Sequence, residues 1–179
     1  MKNTRVLGAV ICVLFAVCGF SGCSMHLVPD YDADMDKGIS DVQGQVEAIF
    51  GKLIDCVDLA TQVCADPTAT YSANDYSKIR NKLNVLIVRS ESVAHNEDTT
   101  RQLYLLAHSL YENAPMPTAN LQADTKSYPK VTLQKRQSTK VAFALRDITA
   151  DHDSIKTQFR SALTYELAKK SGTVATPSK

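Results

Sequence analysis

The stretch that decides the fold is DMDKGISDVQGQVEAIFGKLIDCVDLA, residues 34–60. Its apolar residues recur at alternating steps of three and four, which predicts the buried face of an amphipathic helix. Aspartates crowd its start, where a helix offers free amide donors and the positive end of its dipole. We predict a first helix that runs to about Leu59 or Cys64 and ends before Asp66-Pro67. Its apolar residues are Met35, Ile39, Val42, Val46, Ile49, Leu53, Val57 and Ala60, with Phe50 and Ile54 beside them.

Three further amphipathic segments follow, and none alternates as a strand does. The second and third helices are separated by a break near Asn96. The fourth is the longest and ends at Gly172, after a proline-containing linker between Ala114 and Val131. The sequence therefore predicts an all-α, up-down bundle of about four helices with a long final helix. The apolar positions are Tyr76, Ile79, Leu83, Leu86, Ile87 and Val93 in the second helix, Leu103, Leu106, Ala107, Leu110 and Tyr111 in the third, and Leu133, Val141, Leu145, Ile148, Ile155, Phe159, Leu163 and Leu167 in the fourth.

The residues ahead of the first helix have the form of a secretory signal. A basic start precedes an apolar run from Val6 to Val17, which is shorter than the roughly 20 residues that span a bilayer. Phe20-Ser21-Gly22-Cys23 then resembles the bacterial lipobox, in which the cysteine is lipidated and the signal is cut before it. We predict a cleaved signal at residues 1–22, a lipidated tether at 23–33, a bundle domain at 34–171 and a disordered tail at 172–179.

The cellular location follows from the same resemblance. In Gram-negative lipoproteins, a residue other than Asp after the lipidated cysteine directs the protein to the outer membrane, and here that residue is Ser24. We therefore expect a membrane-bound protein, anchored through Cys23 and facing the periplasm.

Charge is distributed unevenly along the chain. The whole sequence is nearly balanced, with 20 basic and 19 acidic residues, which gives no reason to expect a nucleic-acid partner. Between Cys23 and Asp75, however, there are 10 acidic and 2 basic residues, and between Lys126 and Lys179 there are 11 basic and 4 acidic. Two interpretations stay open. The acidic first helix pairs with the basic last helix, or the basic end faces an anionic partner such as lipopolysaccharide or peptidoglycan.

Cys56 and Cys64 are candidates for a disulfide in a compartment where disulfides persist. In one continuous helix their α-carbons would lie about 12 Å apart, whereas a disulfide needs them within about 7 Å. Pairing therefore requires the helix to stop near Leu59 and turn back, and the sequence leaves both arrangements open.

Catalytic and metal-binding motifs are missing from the sequence. It contains no G-x-S-x-G, no glycine-rich phosphate loop, no H-E-x-x-H and no C-x-x-C, which argues against hydrolases, kinases and zinc proteases. Glu91 with His95 and His108 with Glu112 are spaced by four, but the Glu-x-x-His of di-iron bundles is absent. We predict no catalytic residues, no metal and no cofactor, with His152 lying at the edge of the core.

Several short motifs resemble a family of small, uncharacterised proteobacterial lipoproteins. They are Tyr31-Asp32 with Asp36, Arg89-Ser90-Glu91-Ser92, Thr100-Arg101-Gln102-Leu103, and Glu166-Leu167-Ala168-Lys169-Lys170. The resemblance implies an envelope lipoprotein with a helical bundle and carries no activity with it.

The function expected from these observations is a non-enzymatic outer-membrane lipoprotein that binds another envelope protein or peptidoglycan, or has a structural role. One alternative is covalent attachment to peptidoglycan through the C-terminal Lys179, because the major outer-membrane lipoprotein of enteric bacteria also carries a lipid at one end and a lysine at the other. Another is a bundle that binds a metal or small ligand through His95, His108 or His152.

Overall fold

A computed structural model describes residues 31–117, 128–129 and 131–172. The predicted signal, Cys23, most of the tether and the tail with Lys179 lie outside these residues. The chain forms helix α1 (Ala33–Asp55), strand β1 (Val63–Cys64), a short 3-10 helix (Pro67–Thr70), α2 (Ala73–Glu91), α3 (Glu97–Leu110), α4 (Leu133–Gln137), strand β2 (Phe143–Ala144) and α5 (Leu145–Ser171).

The start of helix α1 and its buried face both agree with the prediction from the aspartates and the apolar spacing. Asp32 is the N-cap, and its side chain accepts hydrogen bonds from the amides of Asp34 and Met35. The buried positions are Met35, Ile39, Val42, Val46, Ile49, Phe50 and Leu53, all from the predicted stripe.

The end of α1 differs from the prediction, because the helix stops at Asp55 rather than near Leu59 or Cys64. Cys56 begins a turn, and Gln62 adopts a left-handed backbone with φ 56°. The chain then returns so that Cys64 pairs with Phe143 in the antiparallel β1–β2 ribbon. Leu59 lies in the returning loop and is 85% exposed.

The break between α2 and α3 lies where the sequence places it. Ser72 caps α2 by accepting a hydrogen bond from the amide of Asp75. Asn96 is the N-cap residue of α3, but its side chain makes no cap hydrogen bond. Instead its Nδ2 donates to the carbonyl of Ser90, 3.2 Å away, which ties the end of α2 to the start of α3.

The predicted fourth helix is divided, which corrects the sequence interpretation. Only residues 133–137 are helical at its start, and the long helix α5 begins at Leu145. The hydroxyls of Ser138 and Thr139 bond the carbonyls of Lys135 and Arg136, and such local bonds compete with a continuing helix. Val141, assigned to the apolar face, is 68% exposed.

The inner face of α5 also differs from the predicted one. The predicted residues Ile155, Phe159, Leu163 and Leu167 are each four apart, and steps of four drift by about 40° per step around a helix of 3.6 residues per turn. Leu167 is accordingly 52% exposed, while Glu166 is fully buried.

The four long helices form an up-down bundle, which confirms the predicted all-α architecture with a long final helix. α1 packs against α2 and α5, and α3 packs against the same two helices, so each long helix lies between two antiparallel neighbours. The cross-helix contacts that fix these directions are Lys52–Asp75 and Arg89–Asp34 between α1 and α2, Asn84–Tyr111 and Glu91–Tyr104 between α2 and α3, Ser109–Gln158 and Thr99–Glu166 between α3 and α5, and Glu47–His152 between α1 and α5. In the part of the chain that the structure describes, no helix is long and apolar enough to cross a bilayer.

Candidate functional site

The two cysteines of the described domain are joined. Cys56 and Cys64 form a disulfide with their α-carbons 5.2 Å apart. This is possible because α1 stops at Asp55 and the chain turns back. The predicted lipidation site Cys23 and the C-terminal Lys179 lie outside the described residues.

The histidines considered as ligands have separate structural contacts. His152 Nε2 lies 2.7 Å from Glu47 Oε2 on α1, and its ring packs against Phe50 with centroids 4.6 Å apart. Its partner therefore comes from a helix 105 residues away in sequence, and local spacing could not indicate it.

The other two candidate histidines lie on α3 and ahead of it. His108 Nε2 is 3.2 Å from the Pro115 carbonyl, and its ring meets Tyr128 edge-on. Burial lowers the pKa of His108 below its usual value. His95 is exposed in the turn between α2 and α3. Glu91, its suggested metal-binding partner, accepts a hydrogen bond from Tyr104. Among the described residues, no three His, Cys, Asp or Glu side chains are placed to hold a metal ion together.

A long groove runs between α1 and α2 on the outside of the bundle. Two hollows, of about 430 and 390 Å³, meet at Lys82 and form it. The groove extends from Asp34 to Lys52 along α1 and from Asp75 to Arg89 along α2. We refer to this surface as the α1–α2 groove.

Ion pairs cross the α1–α2 groove at three heights. The acid lies on α1 at two of them, and the order is reversed at the third, which is nearest the disulfide. All six side chains keep about a third or more of their surface in solvent, so the pairs remain available to another molecule. The pairs are Asp34–Arg89 at 3.0 Å, Asp41–Lys82 at 3.6 Å and Lys52–Asp75 at 2.7 Å.

One of the two interpretations left open by the sequence placed the acidic first helix beside the basic last helix with their charges paired. The two helices are neighbours, but Asp34 and Asp41 of α1 pair with basic residues of α2. Arg89 also makes two hydrogen bonds to the Asp32 carboxylate. These hydrogen bonds lower the pKa of Asp32 and raise that of Arg89. The hydrogen bond from Lys52 likewise lowers the pKa of Asp75. Asp32 and Asp75 are therefore carboxylates throughout the neutral pH range.

Apolar side chains lie in the same groove. Leu86 is part of its floor, and α1 comes close here because residue 38 is glycine: a Cβ on Gly38 would stand 2.5 Å from Leu86 Cδ2. Val85 lies beside this floor and is 66% exposed. Val88, one turn further along α2, is exposed to the same extent. Two such valines on one helix are not explained by packing within the bundle.

A buried polar cluster, missed at the sequence level, joins α3 and α5 near the start of α1. Glu166 Oε1 accepts a hydrogen bond from Thr99 Oγ1 at 2.7 Å and pairs with Lys169. Lys169 also donates to Asn96 and Thr99. Oε2 of Glu166 is buried and has no hydrogen-bond partner among the residues that the structure describes. The side chains of the cluster bond one another across α3 and α5 and so hold these two helices together.

Two sequence signals point to features that the prediction missed. Glu166 follows Phe159 and Ala162 at steps of three and four, which places a carboxylate on the buried stripe. Val85 and Val88 lie off the stripe of α2, as expected for exposed apolar residues. Comparison with known proteins adds no relative to these observations: no family model, no curated protein and no solved structure matches the chain.

Proposed function

We propose that the protein is a non-catalytic binding module of the bacterial outer membrane, held there by lipidated Cys23 and facing the periplasm. Its partner is a protein that lays a helical face into the α1–α2 groove. The observation that carries this proposal is the groove itself, which combines an apolar floor with the exposed Val85 and charges of both signs.

The dimensions of the groove favour a helical face as the docking surface of the partner. From Asp34 to Lys52 the α1 wall spans 18 residues of helical rise, about 27 Å. Two neighbouring helices with an apolar seam can receive a helical face of another molecule, whose apolar residues recur at every turn. The alternating charges at the rim would fix the direction and register of that helix.

The start of the bundle supports tethering close to a membrane. Tyr31 donates a hydrogen bond to Asp36, 2.9 Å away, and the Lys170 ammonium lies 5.3 Å from the centre of the Tyr31 ring. The folded part therefore begins no later than Tyr31, and the residues between Cys23 and α1 reach at most about 33 Å when extended. The disulfide between Cys56 and Cys64 is compatible with an oxidising compartment such as the periplasm.

Site-specific photocrosslinking in intact cells tests this function. A photoreactive residue is placed at Val85, in the groove, or at Thr164, an exposed position on α5. We expect a discrete protein adduct in the outer-membrane fraction from position 85 and none from the control at 164. Recovery of the mature protein as a soluble, unlipidated species would overturn the anchoring. Equal adducts from both positions would overturn the assignment of the groove.

A further inference from the structure

We propose that the occupant of the α1–α2 groove is a second copy of this chain, related to the first by a two-fold axis parallel to the helices. This inference rests on the proposed function, because it names the protein partner of the same groove. It follows from the positions of the charges along the two helices.

Charge self-complementarity is the first argument. A two-fold axis parallel to the helices, passing through the groove, brings α1 of one copy over α2 of the other without changing the height of any residue. Asp41 of one copy then faces Lys82 of the other, because these residues already share a height within each chain. The same holds for the other two ion pairs that cross the groove. All three contacts between copies are therefore attractive.

A two-fold axis perpendicular to the helices gives a poorer match. It places α2 over α2 of the other copy in the opposite direction. Lys82 lies midway between Asp75 and Arg89, the ends of the groove on α2, so two Lys82 ammonium groups would meet at the axis. Like charges brought together at an interface lower its affinity, so this arrangement is less favourable than the parallel one, although its contacts between Asp75 and Arg89 at the two ends are attractive.

The apolar residues fit the same parallel arrangement. Gly38 and Leu86 are at one height, because a Cβ on the glycine would touch the leucine. Val85, the neighbour of Leu86 in sequence, would then lie over the α1 helix of the other copy near Gly38. Each copy would cover the valine that is 66% exposed in the single chain.

The lipid anchor of the proposed function adds a second restriction. A two-fold axis parallel to the helices leaves both Tyr31 residues at the same end of the dimer, so both tethers reach one membrane. A perpendicular axis would place the Tyr31 residues of the two copies at opposite ends of the dimer. The length of the groove alone would separate them by about 27 Å. Both the charges and the anchors therefore select the parallel axis.

Disulfide trapping between two differently tagged copies tests the proposal. The full chain is expressed with Asp41→Cys in one copy and Lys82→Cys in the other, and the cells are treated with a mild oxidant. We expect a dimer that carries both tags from this mixture, and far less from Lys82→Cys alone. The parent chain, with its natural cysteines only, is the background control.

Charge reversal gives a second measurement. Lys82→Glu should raise the dissociation constant of the purified lipoprotein in detergent on the order of tenfold or more, measured by sedimentation. Asp41→Lys combined with Lys82→Glu in the same chain should restore it, because the contact is rebuilt with reversed signs. Lys156→Glu, at an exposed site on α5, is the matched control and should leave association unchanged.

The outcomes separate this inference from the proposed function. A tagged dimer formed by Lys82→Cys alone would overturn the parallel axis. A monomer in sedimentation, with no trapped dimer from any pair, would overturn the second copy as the occupant. If position 85 nevertheless crosslinks to a protein of different mass, the proposed function stands and this inference falls. If position 85 crosslinks to nothing, both fall.

Discussion

Lys169 and Glu166 form an ion pair inside the bundle, where the lysine side chain is 6% exposed and the glutamate 0%. Because Lys169 also donates to Asn96 and Thr99, the pair connects the last turns of α5 to the first residues of α3. Taking two charges out of water is costly, and only their attraction and hydrogen bonds offset that cost. Lys169 is therefore needed for the Glu166 carboxylate to be tolerated inside the bundle.

Removing one partner should be much worse than removing both. We expect Lys169→Met to lower the free energy of unfolding by about 3 to 5 kcal/mol, because the Glu166 carboxylate stays buried and unpaired. The double variant Lys169→Met with Glu166→Leu should recover most of this loss. Denaturant titrations of the four proteins of this cycle give the coupling energy. Lys156→Met, at an exposed site on the same helix, is the control and should change stability by no more than about 0.5 kcal/mol. Equal losses in the single and double variants would contradict this interpretation.

The disulfide at the other end of α1 should contribute to stability through the unfolded chain. Cys56 and Cys64 are 8 residues apart, and closing a loop of that size removes about 2.5 kcal/mol of unfolded-state entropy. Urea unfolding with and without reductant should therefore differ by about 2 to 3 kcal/mol. The double variant Cys56→Ala with Cys64→Ala should show no such difference. Free thiols at both positions in protein taken from the cell envelope would instead indicate that the pair is reduced there.

His108 should make stability depend on pH just below neutrality. Burial lowers its pKa in the folded protein, so the unfolded chain takes up a proton more readily as the pH falls below about 6.5. The free energy of unfolding therefore does not depend on His108 above about pH 7, and it decreases as the pH falls below about 6.5. We expect His108→Gln to lose less stability between pH 7 and 5 than the parent protein, measured by urea titration at each pH.

The matched control for this measurement is Thr164→Gln, an exposed change that adds no titrating group. It should reproduce the pH dependence of the parent protein. If His108→Gln and the parent protein lose the same stability over this range, the acid sensitivity belongs to other residues.

Much of the bundle could be predicted from the sequence, because the evidence for it is local. The alternating spacing along α1 identified all of its buried residues, and the Asn96 break separated α2 from α3. The end of α1 could not be fixed, because it depends on a disulfide to Cys64 and on strand pairing with Phe143, about 80 residues further on. The division before α5 has the same origin, since residues 143–144 are held as a strand by the returning loop of α1.

The candidate site was harder to predict than the fold. A groove arises from how two helices pack, which the sequence does not show. Its charges indicate an ion pair only once the structure places Asp41 and Lys82 opposite each other along the two helices. The uneven charge along the chain suggested that the acids of α1 would pair with basic residues of α5. Both α2 and α5 pack against α1, but the ion pairs of Asp34 and Asp41 are with α2. Side-chain contacts between residues that lie 20 to 60 positions apart in sequence, and not the net charge of each segment, decide which helices form ion pairs.

The contact between Tyr31 and Lys170 has a mechanical consequence. It places the start of α1 and the end of α5 side by side, at the same end of this antiparallel pair of helices. A force applied between the start of α1 and the end of α5 would peel these helices apart one contact at a time, rather than slide them past each other along their whole length. A bundle loaded in this way yields at low force. The bundle therefore offers little resistance to tension applied between its first and its last helix.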